Sequence, residues 1–249
     1  MRVAALYDIH ANLPALEAVL RDVRDASVDL VLIGGDVLPG PMPLETLECL
    51  LGVDIPAKFI YGNGEVAVLD YLAGKKPSVP AQYVPVIAWT AQQLQAEDQK
   101  LLAAWPKTVS VRVNGLGEVL FCHATPRNEN EIFTRFTPEE RLLPVFGGVT
   151  ASAVVCGHTH MQFDRMVGKT RVVNAGSVGM PFGKTGADWL FLGPEVQFRY
   201  TDYDLVDAAE RIRDTQYPQA EEFAQQYILK PPSEREMLDL YARAEVRQR

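Results

Sequence analysis

Residues 3–24 read VAALYDIHANLPALEAVLRDVR, and the change of period inside this stretch decides the fold class. An apolar run over residues 3–7 stops at Asp8. Beyond Leu13-Pro14, Leu16, Val19, Leu20 and Val23 recur at helical spacing, so the unit is strand, polar loop, helix. The unit recurs twice. A strand over residues 30–33 ends in Gly34-Gly35-Asp36 and precedes a helix over 43–51; a shorter one over 57–60 ends at Gly62-Asn63-Gly64 and precedes a helix over 65–72. This repetition predicts an α/β protein, in which sites form beyond the carboxyl ends of the strands.

Further along, residues 84–105 are helical in pattern, with a break expected near Glu97-Asp98 and no residue that suggests chemistry. Residues 108–113 and 118–122 flank Asn114-Gly115, a hairpin signal whose second strand ends at His123. An apolar run over 153–156 ends at Gly157-His158-Thr159-His160, and residues 170–173 and 189–192 add further β segments. After Tyr203 long amphipathic helices are expected, interrupted by Pro218 and Pro231-Pro232. The expected organisation is a main domain over residues 1–202 and a helical extension over 203–249.

Composition narrows the function classes. With 249 residues and 47% hydrophobic side chains, the chain can bury a sizeable core. It has no basic, then apolar leader and no apolar run of membrane-spanning length, so a soluble protein is expected. Three cysteines, Cys49, Cys122 and Cys156, form no CxxC pair and no even set, which fits a reducing cytoplasm; Cys122 and Cys156 read as core. A net charge of -8 opposes a phosphate-rich polymer, so nucleic acid is a disfavoured partner.

Asp8 and His10, two residues apart, can turn both side chains toward one cation. Asp36, Asn63, His123, His158 and His160 share the same placement, each where a buried strand stops. Taken singly, each has an ordinary explanation: a hydrogen-bonded strand-end histidine, a turn or N-cap aspartate, a left-handed asparagine. The conjunction points to metal. The only four histidines of the chain all land at strand ends, beside two aspartates and an asparagine.

The blocks DIHAN (8–12), GGD (34–36), GNGE (62–65), CHA (122–124) and GHTH (157–160), in that order, resemble the calcineurin-like metallophosphoesterase superfamily over residues 1 to about 200. DIHANLPALEAVL and RVVNAGSVGMP make the resemblance strongest to its small bacterial and archaeal phosphodiesterase branch. The resemblance implies two mixed β-sheets packed face to face with helices outside. It implies that Asp8, His10 and His160 hold one metal, that Asn63, His123 and His158 hold a second, and that Asp36 bridges them. Such oxygen and imidazole donors suit two divalent transition-metal ions, Mn first, with Fe, Zn or Ni as alternatives. Water activated between the cations, and no side chain, would be the attacking group.

Many members of that superfamily carry a histidine after the GN pair as general acid, where this chain has Gly64. A general acid typically contributes about 10²–10⁴-fold, so substrates whose leaving group departs without a proton are favoured: small phosphodiesters with aryl leaving groups, or nucleotide phosphoanhydrides. A histidine at 64 is expected to help alkyl esters more than aryl ones. Glu65 is a substitute acid or a partner of the helix N-terminus. Asn12 and Arg127 are the candidate phosphate contacts. In the segment 174–177, Ala175 stands where the family has proline, and Phe182 follows where a basic residue is common. Three other classes compete: a protein-binding scaffold with an impaired metal site, a nuclease, and a phosphoprotein phosphatase. The full ligand set, the acidic balance and the missing general acid argue against them in turn. The oligomeric state is not legible.

Overall fold

Every residue of β1 (Val3–Leu6) and β2 (Leu30–Ile33) is buried, as strands covered on both faces must be. In this computed structural model, which describes residues 1–245, they lie parallel in a sheet ordered β10-β9-β1-β2-β3. The end of the expected extension, 246–249, lies outside the described residues. β3 (Ala57–Phe59) continues the parallel set, while β9 (Ala187–Leu192) and β10 (Val196–Thr201) are antiparallel additions. A second sheet, ordered β4-β5-β6-β8-β7, contains β4 (Thr108–Val113), β5 (Gly117–Cys122), β6 (Ala153–Cys156), β7 (Phe163–Val167) and β8 (Thr170–Asn174). Its centre, β5-β6-β8, is parallel.

Side-chain alternation packs the layers. Val3, Ala5, Tyr7, Leu30 and Leu32 from the first sheet meet Val111, Val119, Phe121, Val155 and Val173 from the second in one core. Ala4, Leu6, Val31 and Ile33 point the other way, onto α1 (Leu13–Asp25), α2 (Pro43–Leu51), α3 (Asn63–Leu72), α4 (Val84–Gln93) and α5 (Ala96–Ala104). The outer face of the second sheet, with Cys122, Val154, Cys156 and Val172, is covered by α6 (Glu139–Phe146) and Phe133. The result is the αββα sandwich that the motifs imply. Full burial of one such aliphatic side chain is worth about 1.5–3 kcal/mol, so three cores fix the strand ends firmly.

The departures are local. The helical stretch breaks at Leu94-Gln95, because Asp98 accepts the Gln95 N–H (2.8 Å) and so starts α5 where the pattern suggested an ending. α6 escapes a periodicity reading because Pro144 lies inside it, and β7 and β10 escape because most of their residues are not buried. The C-terminal helices are shorter than expected: α7 (Leu205–Arg213), α8 (Ala220–Phe223) running into a π turn (Ala224–Leu229), and α9 (Glu234–Tyr241). Ala208, Ala209, Ile212, Phe223 and Ile228 of this segment pack on Leu13, Met42 and Val86. No helix among the described residues is long and apolar enough to cross a membrane.

Candidate metal centre

The loops after β1 and β2 are zipped together by their backbones. Asp8, His10 and Ala11 donate N–H to Gly35, Asp36 and Val37 oxygens at 3.1, 2.9 and 2.7 Å. The close approach at Gly35 requires glycine: its φ is +87°, and a Cβ there would lie 2.5 Å from Gly62 N. Among the described residues, five of the seven non-glycine residues with positive φ are Asp8, His10, Asp36, His158 and His160. Strain of this kind persists only where surrounding structure enforces it, and it concentrates at functional sites.

These loops gather the side chains into two groups. Asp8, His10 and His160 form one, Asp36, His123 and His158 the other; within each, the candidate donor atoms lie within 4.8 Å of one another. His10 Nε2 is 3.2 Å from His160 Nε2, and His160 Nε2 is 3.4 Å from Asp8 Oδ1. Asp36 faces both groups, with Oδ1 3.4 Å from His123 Nε2 and Oδ2 3.8 Å from His10 Nε2. Asn63 Oδ1 is 3.0 Å from His123 Nε2. The structure therefore brings together all seven residues expected as ligands.

Two of the four imidazoles are oriented by a backbone carbonyl: His123 Nδ1 donates to Gly34 O (2.9 Å) and His160 Nδ1 to Met180 O (2.8 Å). With Nδ1 committed as donor, a His123 or His160 ring that carries one proton turns an Nε2 lone pair inward. Those lone pairs meet other acceptors: Asn63 Oδ1, whose 3.0 Å contact then has no proton to share, and the Asp8 and Asp36 oxygens. Asp8 Oδ1 and His158 Nε2 are buried with no hydrogen-bond partner. Buried acceptors facing acceptors are costly, and cations relieve the cost. The donor set fits divalent metals.

The electrostatics agree. Burial, followed by the neighbouring imidazoles His160 and His123 respectively, pushes the pKa of His10 and of His158 down to about 3, so both rings are neutral at pH 7. Burial and then the Asp8 charge raise Asp36 well above the usual carboxylate range. Glu65, fully buried, is pushed up to about 7 by burial and then by Asp36. Its carboxylate accepts three backbone N–H groups, from Asp36 (2.9 Å), Leu38 (2.9 Å) and Gly62 (2.7 Å). Glu65 thus clamps the loops that carry Asp36 and Asn63; of its two expected roles, the one at the helix N-terminus is realised.

Three expectations need correction. A Cβ on Gly64 would lie 2.0 Å from Leu38 O, so a histidine cannot be added there without displacing the Leu38 backbone, and the proposed gain with alkyl esters has no structural basis. Asn12 is fully buried and spent: Oδ1 caps α1 through Ala15 N, and Nδ2 donates to Gly179 O and the Tyr203 hydroxyl. It has no group left for a phosphate oxygen. Arg127 points its Nε and Nη2 at Glu131 (2.8 and 2.6 Å) in a half-exposed ion pair. Sequence reasoning missed the carbonyls behind His123 and His160 and the three-fold clamp of Glu65; only the GNGE spacing hinted at the latter.

With this geometry in view, the calcineurin-like phosphoesterase superfamily domain matches residues 1–192. The chain belongs to that superfamily. An uncharacterized protein of Methanocaldococcus jannaschii is 26% identical over 242 residues, spanning 87% of this chain and 94% of its own. A metallophosphoesterase of Sphaerobacter thermophilus superposes with TM-score 0.71 at 25% identity, over 90% of this chain and 97% of that one. A hypothetical protein of Pyrococcus horikoshii gives TM-score 0.77 at 20% identity, over 93% and 99% of the two chains, and shares the fold. In this calcineurin-like phosphoesterase the C-terminal helices from Leu205 onward lie beyond the matched domain.

Proposed function

We propose that the protein is a dinuclear-metal-dependent phosphoesterase acting on small phosphodiesters or nucleotide phosphoanhydrides. The observation that carries the reading is the set of buried acceptors turned toward one another, with Asp8 Oδ1 and His158 Nε2 unpartnered and His123 and His160 each holding a carbonyl behind the ring. Asp8, His10 and His160 would hold one cation and Asn63, His123 and His158 the other, with one Asp36 oxygen toward each. Two divalent cations bound there, Mn or else Fe, Zn or Ni, supply positive charge at the phosphoryl group and lower the pKa of an attacking water.

The protein's own groups do the rest. The Gly34 and Met180 carbonyls hold His123 and His160 in one orientation, and Glu65 keeps the Asp36 and Asn63 loops in register. Position 64 offers no acid and no room for one. A leaving group must therefore depart as a stable anion, which selects aryl esters and anhydrides over alkyl esters and serine phosphate.

The test is hydrolysis of bis(p-nitrophenyl) phosphate with and without Mn²⁺, with Asp36→Asn as control. Turnover should require the metal, vanish with chelator, and fall on the order of 10³-fold or more in the variant, since a lost bridging charge removes several kcal/mol from the transition state. Absence of metal-dependent turnover would promote the scaffold reading instead.

A further inference from the structure

Residues 174–180, NAGSVGM, leave the end of β8 and lie against the loops of the Asp8, His10 and His160 group. The fully buried Ser177 hydroxyl donates to Asp8 O (2.7 Å) and accepts the Met180 N–H (2.7 Å). Met180 O in turn accepts from His160 Nδ1 (2.8 Å), so one hydroxyl joins the backbone of one ligand to the residue that orients another. Val178 and Gly179 donate N–H to Tyr7 O (2.9 Å) and Asp8 O (3.0 Å), and a Cβ on Gly179 would overlap Ile9 O. Asn174, also fully buried, grips the neighbouring loop: Nδ2 donates to Gly157 O (2.6 Å) and Thr159 Oγ1 (3.1 Å), and Oδ1 accepts the Gly176 N–H (2.9 Å). Ala175 N–H donates to Cys156 O (2.8 Å), a bond that a proline at this position could not make. The side chains of Asn174 and Ser177 are thus directed at the loops that carry ligands rather than at a phosphate.

The two ligand groups therefore have separate fastenings. Glu65 clamps the loops of Asp36 and Asn63, with Gly34 O behind His123, whereas the Ser177 hydroxyl serves Asp8 and, through Met180, His160. We propose that Ser177 is a positioning residue for the cation held by Asp8, His10 and His160, and that Asn174, through the loop of His158 and His160, positions both cations. The inference rests on the two-metal phosphoesterase reading and deepens it by giving each cation its own support. The segment does not depend on the hydroxyl to stay in place: Asp188 N–H donates to Ser177 O (2.8 Å), and Ala175 and Val178 are packed in two of the cores. Loss of the hydroxyl frees the Asp8 and Met180 backbones while the fold persists.

The experiment titrates Mn²⁺ into the full chain by calorimetry. In otherwise wild-type protein, Ser177→Ala should weaken one of the two Mn²⁺ steps about tenfold while the other holds, within the usual cost of losing a group that orients ligands. Two backgrounds assign the step: His123→Ala cripples the second group, and His10→Ala cripples the first. Added to His123→Ala, Ser177→Ala should weaken the tighter step about tenfold, and added to His10→Ala by less than about threefold, whereas Asn174→Ala should cost about tenfold in both. Melting curves check the fold, and Ser177→Cys, which keeps a weaker donor, carries the same comparison if the alanine variant does not fold. A loss with His10→Ala equal to or larger than that with His123→Ala, no loss in either, or a wild type that takes up no Mn²⁺ overturns the assignment. Turnover of bis(p-nitrophenyl) phosphate by the wild type is followed in parallel. Selective loss without turnover keeps the positioning role and sinks the phosphoesterase reading; turnover without selective loss does the reverse.

Discussion

The floor of the site and its rim are built by opposite means. On the floor, Asp8, His10, Ala11, Asp36, His158 and His160 sit in left-handed backbone and are largely buried; backbone hydrogen bonds tie the loop of Asp8, His10 and Ala11 to that of Asp36, and the His158 N–H donates to Asp8 Oδ2 (2.8 Å). On the rim, Arg127, Arg135 and Lys184 hold their partners through partly exposed side chains. Backbone ties inside a packed core resist displacement, whereas exposed ion pairs are worth about 0–1 kcal/mol and exchange with water. The floor is therefore expected to be rigid before metal arrives, and substitutions there should cost far more than substitutions at the rim.

Glu65→Gln breaks the floor most directly. The three N–H groups that converge on the carboxylate each contribute about 1.5–3 kcal/mol as charge-assisted bonds, and an amide turns an NH₂ toward at least one of them. Metal affinity, read by titration with Mn²⁺, should fall about 10–100-fold, the usual cost of losing a group that orients ligands. Unchanged affinity would show that the loops hold Asp36 and Asn63 without the clamp.

Gly64→Ala tests the same loops by volume. A Cβ 2.0 Å from Leu38 O forces the backbone to move, at a cost of about 1–3 kcal/mol, against a gain of at most about 1 kcal/mol in helix propensity. Denaturant unfolding should show a net loss of about 1–2 kcal/mol, with turnover falling as Leu38 pulls on Glu65. A variant as stable as wild type would mean that the Leu38 segment yields easily, and would reopen position 64 to a general acid.

How much of this was legible depends on whether the cause is local. Strand ends at Asp8, Asp36, His123 and His158 could be read because apolar runs stop there beside glycines, and the ligand residue types announced themselves in DIHAN and GHTH. The carbonyls of Gly34 and Met180 could not be read, because every residue has a carbonyl and only the packing of remote loops selects these two. Asn12 misled for a related reason: an asparagine two residues past a ligand suits substrate and helix cap equally, and only the helix beginning at Leu13 decides.

Ser27→Gly asks whether left-handed backbone on the floor is retained for the site or is simply tolerated. Ser27 has φ 52° just after α1, is exposed, and lies outside the strand-end loops. Removing its Cβ relieves about 1–2 kcal/mol, and the extra freedom of glycine in the unfolded chain returns about 0.4–1 kcal/mol. Stability should rise by about 0.5–1 kcal/mol with turnover unchanged. Destabilisation instead would show that left-handed residues are accommodated cheaply throughout this protein, and the strain argument for the floor would lose its force.

Arg127→Ala should have the smallest effect, and it is the sharpest test of the rim. The guanidinium fork is filled by Glu131, whose Oε2 also accepts the Thr125 hydroxyl (2.6 Å), so reaching a phosphate would mean leaving a formed bidentate pair for a group the metals already neutralise. An exposed pair of this kind contributes about 0–1 kcal/mol, so kcat/KM for bis(p-nitrophenyl) phosphate should change less than about threefold and the melting temperature hardly at all. Measuring Arg127→Ala beside Glu131→Gln separates the two possibilities. If Arg127→Ala loses tenfold or more while Glu131→Gln gains, Glu131 is a brake that releases the arginine to substrate, and the boundary between a rigid floor and an inert rim must be redrawn to include residues 127–131.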